Sequence, residues 1–251
     1  MLKITPRPWD ERRDLIIPGD YIATITFAAE HFITLVHQAV NQHGAFFVAL
    51  SGGSTPKALY ERLTAPPYDK QIPWEKMHLF WSDERSAPPT DPESNYHMAM
   101  QAGFAKMPIP KSQIHRMVAE ESIQENASAY DTLLKNLNRP LDLVMLGMGE
   151  DGHTASLFPH TKGLHSKDRL AIANHIPEKD TWRMTMTFSC INQAKNIAVY
   201  ALGAAKKYTL AKVLTSPLQY EELPSQNVGT KDHKALWIID EAAASLLNLS
   251  Q

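Results

Sequence analysis

A loop near residue 150 combines the residue types that acid–base catalysis needs. Residues 146–159 read LGMGEDGHTASLFP, so three glycines lie within six residues and Asp151 stands two residues before His153. An aspartate at this spacing can orient an imidazole, and histidine is the side chain best suited to exchange a proton at neutral pH. The loop therefore predicts a general base at His153. A histidine that caps the following helix is the structural alternative.

A second loop has the composition of a phosphate-binding turn. It follows the apolar run 45–50 and consists of Ser51, Gly52, Gly53, Ser54 and Thr55. Glycine lets the backbone approach a ligand closely, and a helix that begins at such a turn presents free N–H groups to an anion. The spacing matches neither the GxxxxGK[ST] motif nor the GxGxxG motif. The turn is a candidate phosphate site, and a tight strand-to-helix turn with capping hydroxyls is the alternative.

Charged side chains could supply the rest of a site. Asp83 and Arg85 follow a strand-like apolar run, and Arg183, Lys206 and Lys207 occur later in the chain. Two basic side chains that converge on a glycine-rich turn would form the cationic half of a phosphate site, because arginine can bind phosphate through two parallel hydrogen bonds. Solvated surface positions are the alternative for these charged residues.

The elements that must position these residues alternate between strands and helices. Apolar runs predict strands at 45–50, 77–81, 141–146, 196–202 and 235–239, and helical patterns cover 20–43, 56–63, 94–102, 122–137, 206–214 and the alanine-rich stretch after Asp240. Such alternation indicates βαβ units. Polar residues collect after the strands, where open parallel sheets bind ligands. We therefore predict an α/β fold: a single Rossmann-like domain over residues 1–251, with helices on both faces of a mostly parallel sheet.

Three segments lie outside this pattern. Alternation over 183–187 predicts a further strand that begins at Arg183. Residues 87–92 and 216–227 are predicted to be surface loops. Residues 159–182 show no pattern that assigns them to an element.

Composition and charge limit the class of protein. The 251 residues are 43% hydrophobic and 21% charged, which allows a sizeable core and excludes a wholly disordered chain. A formal net charge of -2 provides no basic field for nucleic acid or an anionic membrane. Residues 1–14 lack the apolar stretch of a signal peptide, and no apolar run approaches the ~18 residues of a membrane span. We expect a soluble, cytoplasmic protein without nucleic-acid or membrane partners.

Other catalytic centres fit the sequence less well. The single cysteine, Cys190, excludes an intramolecular disulfide and any zinc site that needs two thiolates. His153, His160 and His165 do not have the spacing of a zinc-protease motif, so no metal site is predicted. Neither glycine-rich loop supplies the GxSxG motif of a serine hydrolase.

Taken together, these motifs resemble the 6-phosphogluconolactonase family, which lies within a wider group that includes the glucosamine-6-phosphate deaminases. The matching segments, in family order, are LSGGST (50–55), DER (83–85), ESNY (93–96), LGMGEDGHTASLFP (146–159), RMTMT (183–187), GAAK (203–206) and WIIDEAAA (237–244). The DGHTASLFP segment is highly specific, whereas SGGST alone is not. Many relatives carry a second glycine directly before the lysine of the GAAK segment, so the phosphate-contacting lysine is either Lys206 or Lys207.

The resemblance implies hydrolysis of 6-phospho-D-glucono-1,5-lactone to 6-phospho-D-gluconate, the second step of the oxidative pentose phosphate pathway. It implies that His153 activates water, that Asp151 holds the imidazole or the water, and that Arg85 offsets charge on the former carbonyl oxygen. The implied substrate-binding residues are Ser51, Gly52, Gly53, Ser54, Thr55, Asp83, Asn95, Arg183 and Lys206. We expect no cofactor and no metal, a sugar-phosphate lactone as the partner, and a monomer or homodimer.

Two other functions stay open. Deaminases of the group continue the Asp-Gly-His motif with an asparagine–glutamate pair and carry a tyrosine where Arg85 stands, whereas residues 154–159 contain no carboxylate. A glucosamine-6-phosphate deaminase or isomerase is therefore the alternative enzyme. A non-catalytic sugar-phosphate sensor is the other alternative, although the segment before Asp20 is short for a DNA-binding helix-turn-helix.

Overall fold

The computed structural model describes residues 4–249, and the elements below are those of this part of the chain. The strands are β1 (Arg7–Pro8), β2 (Arg13–Ile16), β3 (Phe46–Leu50), β4 (Met77–Trp81), β5 (Asp83–Arg85), β6 (Leu143–Gly147), β7 (Ala171–Ile176), β8 (Thr181–Met186), β9 (Ile197–Ala201) and β10 (Ala235–Ile239). The α-helices are α1 (Tyr21–His43), α2 (Ser54–Leu63), α3 (Asn95–Gln101), α4 (Ile123–Asn136), α5 (Phe188–Ile191), α6 (Lys207–Thr215) and α7 (Glu241–Ala244).

Seven strands form the main sheet, in the order β1-β2-β10-β9-β6-β3-β4. Every neighbouring pair is parallel except β1 and β2, which are antiparallel. β3, β6, β9 and β10 consist of apolar residues and glycine, as expected for strands covered on both faces, and all five residues of β9 are buried. The mostly parallel α/β fold is confirmed, and so are the five strands predicted from apolar runs. The sequence pattern did not indicate β1 and β2.

A second, three-stranded sheet lies beside the first, in the order β5-β8-β7 and antiparallel throughout. Ser82 connects the two sheets: its N–H donates to Leu50 O in the main sheet (2.8 Å), and its carbonyl accepts from Met186 N in the second (2.7 Å). Asp83 and Arg85 therefore form a strand of their own rather than the polar end of β4. Much of the second sheet comes from residues 159–182, which had no predicted element.

The helix predicted over 20–43 is confirmed as α1, and both of its ends have a local cause. Asp20 accepts a hydrogen bond from Ala23 N (2.8 Å) as the N-cap, and Gly44 ends the helix with φ of 83°. No helix among residues 4–249 combines the length and apolarity needed to cross a membrane.

The prediction of a surface loop over 216–227 is wrong at its end. Ser225 and Gln226 are buried, and Ser225 donates to Gly152 O from both its backbone N–H (2.9 Å) and its hydroxyl (2.8 Å). These two donors satisfy the carbonyl of Gly152, a buried residue of the His153 loop. The loop over 87–92 contains no buried residue, as predicted.

Helix α1 contains a histidine that should make stability depend on pH. Burial lowers the pKa of His31 from 6.5 to about 4, and its Nδ1 atom has no hydrogen-bond partner within residues 4–249. The unfolded chain binds the proton more tightly, so this contribution to the free energy of unfolding is complete above pH 6.5 and is lost as the pH falls toward 4. The loss at pH 4 should be about 3 kcal/mol.

Denaturant unfolding at pH 7 and pH 4 tests this effect. His31→Phe keeps a ring that can stack on Phe27. Between pH 7 and pH 4, its free energy of unfolding should fall by about 3 kcal/mol less than that of the parent protein. His37→Phe, on the exposed side of the same helix, is the matched control and should keep the parent dependence. An identical pH dependence in the parent protein and His31→Phe would contradict the prediction.

Candidate active site

The loops that follow β3 and β6 meet the start of the second sheet around a cavity of about 170 Å³. Its lining consists of Ser51, Gly52, Gly53, Asp83, Arg85, Gly147, Met148, Gly149, His153 and Ala155. Six of the predicted site residues therefore share one cavity: Ser51, Gly52, Gly53, Asp83, Arg85 and His153. The other six, which are Ser54, Thr55, Asn95, Asp151, Arg183 and Lys206, do not line it.

His153 and Asp151 form a close pair at this cavity. His153 Nδ1 lies 2.5 Å from Asp151 Oδ1, and the same oxygen accepts the backbone N–H of His153 at 3.1 Å. Burial raises the pKa of Asp151, but the hydrogen bonds and charge of His153 outweigh it, so the pKa ends below its ordinary value. An ionised aspartate only accepts hydrogen bonds, so Nδ1 carries the proton and Nε2 is left as the basic nitrogen.

Two further contacts fix the ring of His153. Phe158 stacks on the imidazole with 3.9 Å between ring centroids and 21° between planes. Gly149 donates its N–H to His153 O (2.9 Å), and a Cβ atom added at Gly149 would lie 2.1 Å from His153 Nδ1. The imidazole therefore occupies space that only glycine at position 149 leaves open.

The side chains of Tyr60 and Asn95 contact the Ser51–Thr55 turn. Ser51 donates its N–H to the Tyr60 hydroxyl (2.9 Å), which in turn donates to Ser51 O (2.9 Å). A Cβ atom at Gly52 would lie 1.9 Å from Asn95 Oδ1, so the turn and Asn95 are in close contact. Gly53, with φ of 103°, precedes α2 and provides no side-chain cap. The first N–H groups of α2 thus remain available to an anion.

Two arginines face each other where β5 pairs with β8. Arg85 is the register partner of Arg183, and Arg85 Nη1 donates to Glu93 O (2.9 Å). Burial lowers the pKa of Arg183, and the neighbouring Arg85 lowers it further. Within residues 4–249 the buried Nε of Arg183 has no hydrogen-bond partner. Two adjacent guanidinium groups with an unused donor form a site that an anion would stabilise.

The two lysines after β9 differ in their surroundings. Lys207 Nζ lies 5.0 Å from the centre of the Tyr208 ring. Lys206 ends a 3-10 turn, Ala204–Lys206, and the Thr209 hydroxyl of the following helix donates to Glu150 O in the His153 loop (2.7 Å). This contact joins α6 to the His153 loop. The contact of Lys206 with a phosphate stays a prediction.

Sequence reasoning missed a buried carboxylate, Glu84. Its Oε1 accepts from Arg85 N (2.8 Å) and Asn95 N (2.7 Å), and its Oε2 accepts from Tyr96 N (2.8 Å) and the Ser94 hydroxyl (3.0 Å). Burial raises the pKa of Glu84, while the backbone donors counteract part of that effect. Glu84 thus anchors the start of α3 and, with it, Asn95. Only its position between Asp83 and Arg85 could have signalled this role.

The three histidines weighed as metal ligands each face a different carboxylate. His153 pairs with Asp151, His160 Nε2 lies 3.2 Å from Glu222, and His165 Nε2 lies 3.3 Å from Glu221. Across residues 4–249, no group of three or more histidine, cysteine, aspartate or glutamate side chains is arranged to hold a metal ion.

A wider groove of about 800 Å³ borders β7 and the segment 160–169. None of the predicted site residues lines it, and it shares no lining residue with the 170 Å³ cavity. The smaller cavity is the candidate active site because the paired histidine and the glycine-rich turn meet there.

The sheet and the position of these groups at its carboxyl edge define a Rossmann-like α/β enzyme. The family model for glucosamine-6-phosphate isomerases/6-phosphogluconolactonase matches residues 20–237. The chain therefore belongs to the glucosamine-6-phosphate isomerase/6-phosphogluconolactonase family, which confirms the resemblance of the motifs.

Individual relatives agree with this assignment. The chain is 41% identical over 218 residues to the 6-phosphogluconolactonase of Chlamydia pneumoniae, covering 86% of this chain and 83% of the relative. It is 38% identical over 202 residues to that of Haemophilus influenzae, covering 80% and 87%. The crystal structure of devB protein superposes with a TM-score of 0.84 at 30% identity, covering 93% of this chain and 99% of that one.

Proposed function

We propose that this chain hydrolyses 6-phospho-D-glucono-1,5-lactone to 6-phospho-D-gluconate within a single catalytic domain. The observation that carries the proposal is that His153, with Nδ1 on Asp151, lines the same cavity as the Ser51–Gly53 turn. One end of a ligand can thus lie against a base while its anionic end lies against backbone N–H groups. The relatives named 6-phosphogluconolactonase support the choice of substrate.

In the proposed reaction, His153 Nε2 takes a proton from a water molecule as its oxygen attacks the lactone carbonyl carbon. The bond between this carbon and the ring oxygen then breaks, and the same imidazole returns the proton to the departing ring oxygen. Asp151 keeps the imidazole in the tautomer that this step requires. Arg85, which lines the cavity, offsets the negative charge that develops on the carbonyl oxygen.

The phosphate would serve as an anchor at a distance from the reacting carbon. The amides of residues 52–55, together with Arg183 and Lys206, are the proposed ligands. Binding energy from such a remote group contributes to orienting the carbonyl against the base. This scheme uses only side chains and backbone groups of the protein and water.

A proton-release assay tests this function directly. The product is a carboxylic acid that ionises at neutral pH, so purified protein added to freshly prepared lactone should release protons faster than spontaneous hydrolysis does. A rate equal to the spontaneous background would contradict the proposal. Ammonia release from glucosamine 6-phosphate would instead indicate a deaminase, and binding of the lactone without turnover would indicate a sensor.

One observation bears on the deaminase alternative. Asp83 is the single carboxylate among the ten residues that line the cavity, and the ring face of His153 stacks on Phe158, so Asp151 is the carboxylate that pairs with the imidazole. Lactone opening needs one base and no second acid–base group, which this cavity provides.

Removal of the Arg183 guanidinium should weaken the phosphate anchor. A charge-assisted hydrogen bond contributes roughly 1.5–3 kcal/mol, so Arg183→Ala should bind 6-phosphogluconate roughly 10–100-fold more weakly. Affinity for unphosphorylated gluconate should change little. Calorimetric titration of both ligands measures the difference, with Arg169→Ala, an exposed arginine in the wider groove, as the control. Equal affinities of the parent protein for 6-phosphogluconate and gluconate would show that the phosphate group does not anchor the ligand.

A further inference from the structure

The carboxylate of Asp83 is held by one neutral donor on each oxygen. The Ser156 hydroxyl donates to Oδ2 at 2.7 Å, and Asn95 Nδ2 donates to Oδ1 at 3.2 Å and to the Asp83 carbonyl at 2.9 Å. All three side chains are buried, with 6% of Asp83 and 2% of both Ser156 and Asn95 accessible. Asp83 therefore has a single orientation at the wall of the 170 Å³ cavity.

Ser156 is itself fixed by the second sheet. Its N–H donates to the Thr185 hydroxyl (3.1 Å), and its carbonyl accepts from Asn174 Nδ2 (2.9 Å). Thr185 lies opposite Asp83 in the β5–β8 register. Ser156 therefore joins the His153 loop to the strand that carries Asp83, and its hydroxyl is aimed at the carboxylate by backbone contacts on both sides.

The remaining hydrogen-bonding capacity of Asp83 is what a sugar ring requires. Each carboxylate oxygen can accept two hydrogen bonds, and the two neutral donors use one on each. Arg85 in the cavity lining and its register partner Arg183 suit anions or a carbonyl oxygen, whereas the Asp83 carboxylate accepts from a hydroxyl. Asp83 and His153 line the same cavity, so a lactone whose carbonyl faces His153 can present its adjacent hydroxyl to Asp83.

We propose that Ser156 is a positioning residue: it holds the Asp83 carboxylate so that Asp83 accepts a hydrogen bond from the hydroxyl next to the lactone carbonyl. This inference rests on the proposed lactone hydrolysis and adds a specificity element to it. A site built to bind a hydroxyl discriminates against the analogue that lacks it, because its polar group is then left unpaired. The enzyme should prefer the parent lactone over the 2-deoxy lactone by roughly 10–100-fold in kcat/KM.

The test compares kcat/KM for 6-phosphogluconolactone and for its 2-deoxy analogue, each prepared fresh by oxidation of the matching sugar phosphate. In Ser156→Ala, kcat/KM for the parent lactone should fall roughly 10-fold, mainly because KM rises. The value of kcat/KM for the deoxy lactone should change little. The preference should therefore shrink. Asp83→Asn, which keeps the side-chain volume, should also reduce the preference for the parent lactone. Because Ser156 acts through Asp83, the double variant should lose no more of this preference than Asp83→Asn alone.

Thr187→Ala is the matched control. Thr187 is a buried hydroxyl that donates to Arg169 O (2.7 Å) away from the cavity. Its loss should lower the melting temperature and leave the substrate preference unchanged. Equal losses on both lactones in Ser156→Ala would mean a purely structural role and would overturn the proposal.

Two outcomes distinguish a failure of this proposal from a failure of the proposed lactone hydrolysis. A parent protein that hydrolyses both lactones equally well, or an unchanged preference in Asp83→Asn, overturns the role of Ser156 and leaves lactone hydrolysis standing. A parent protein that hydrolyses neither lactone overturns both. If Ser156→Ala does not fold, the substrate preference of Asp83→Asn decides between these outcomes.

Discussion

His153→Ala is expected to lower kcat for lactone opening by roughly 10²–10⁴-fold, the range in which a positioned general base contributes. The imidazole lines the cavity, and its Nδ1 is committed to Asp151, so Nε2 is the basic atom next to the ligand. Affinity for 6-phosphogluconate should change little, because the proposed phosphate ligands are other groups. Stopped-flow proton release gives kcat, and calorimetry gives the affinity.

His37→Ala is the control for this prediction. His37 is exposed on α1, so the same substitution there should keep the parent kcat. A purified, folded His153→Ala protein with the parent kcat would eliminate His153 as the base. A protein that lost product affinity to the same extent as kcat would instead assign His153 to binding.

Gly149→Ala is expected to cost roughly 10²-fold in kcat although position 149 carries no reactive group. The added methyl group would lie 2.1 Å from His153 Nδ1 and 2.6 Å from Asp151 Oδ1, so the pair must move. Displacement of a catalytic group by about 1 Å is enough for a loss of this size. Proton-release kinetics measures it, and the imidazole signals in an NMR spectrum report whether the ring has shifted.

Gly147→Ala is the matched comparison in the same loop. A Cβ atom at Gly147 meets no atom within 4 Å, so this methyl group does not push on the imidazole. Because Gly147 also lines the cavity, Gly147→Ala should still lower kcat, but much less than Gly149→Ala does. Equal kcat values for the two variants would show that the contact between Gly149 and the ring does not position the base.

Local patterns predicted the main sheet well. Apolar runs at β3, β4, β9 and β10 gave strand positions within a residue or so, because a strand covered on both faces is predominantly apolar. The helix predicted over 20–43 agrees with α1 for a similar reason, since Asp20 and Gly44 act on adjacent backbone at its ends. The prediction of β6 began two residues early, at Leu141 rather than Leu143.

Patterns were least informative where pairing is antiparallel and distant in sequence. β7 and the first two residues of β8 fall in the stretch without a predicted element, whereas the rest of β8 agrees with the strand predicted over 183–187. The buried turn at Ser225 was predicted to be a surface loop. Their places depend on partners elsewhere in the chain, such as Gly152 for Ser225. No window of local sequence contains that partner.

By itself, the sequence determined the type of chemistry: a histidine two residues after an aspartate, a glycine-rich turn after a buried strand, and a family motif that covers both. Only the tertiary structure decided which groups meet. It placed Arg85 opposite Arg183, joined Ser156 to Asp83, and kept Lys206 out of the cavity lining. The physical reason is that residue type and spacing set what a side chain can do, whereas hydrogen-bond register and packing between distant segments set what it touches.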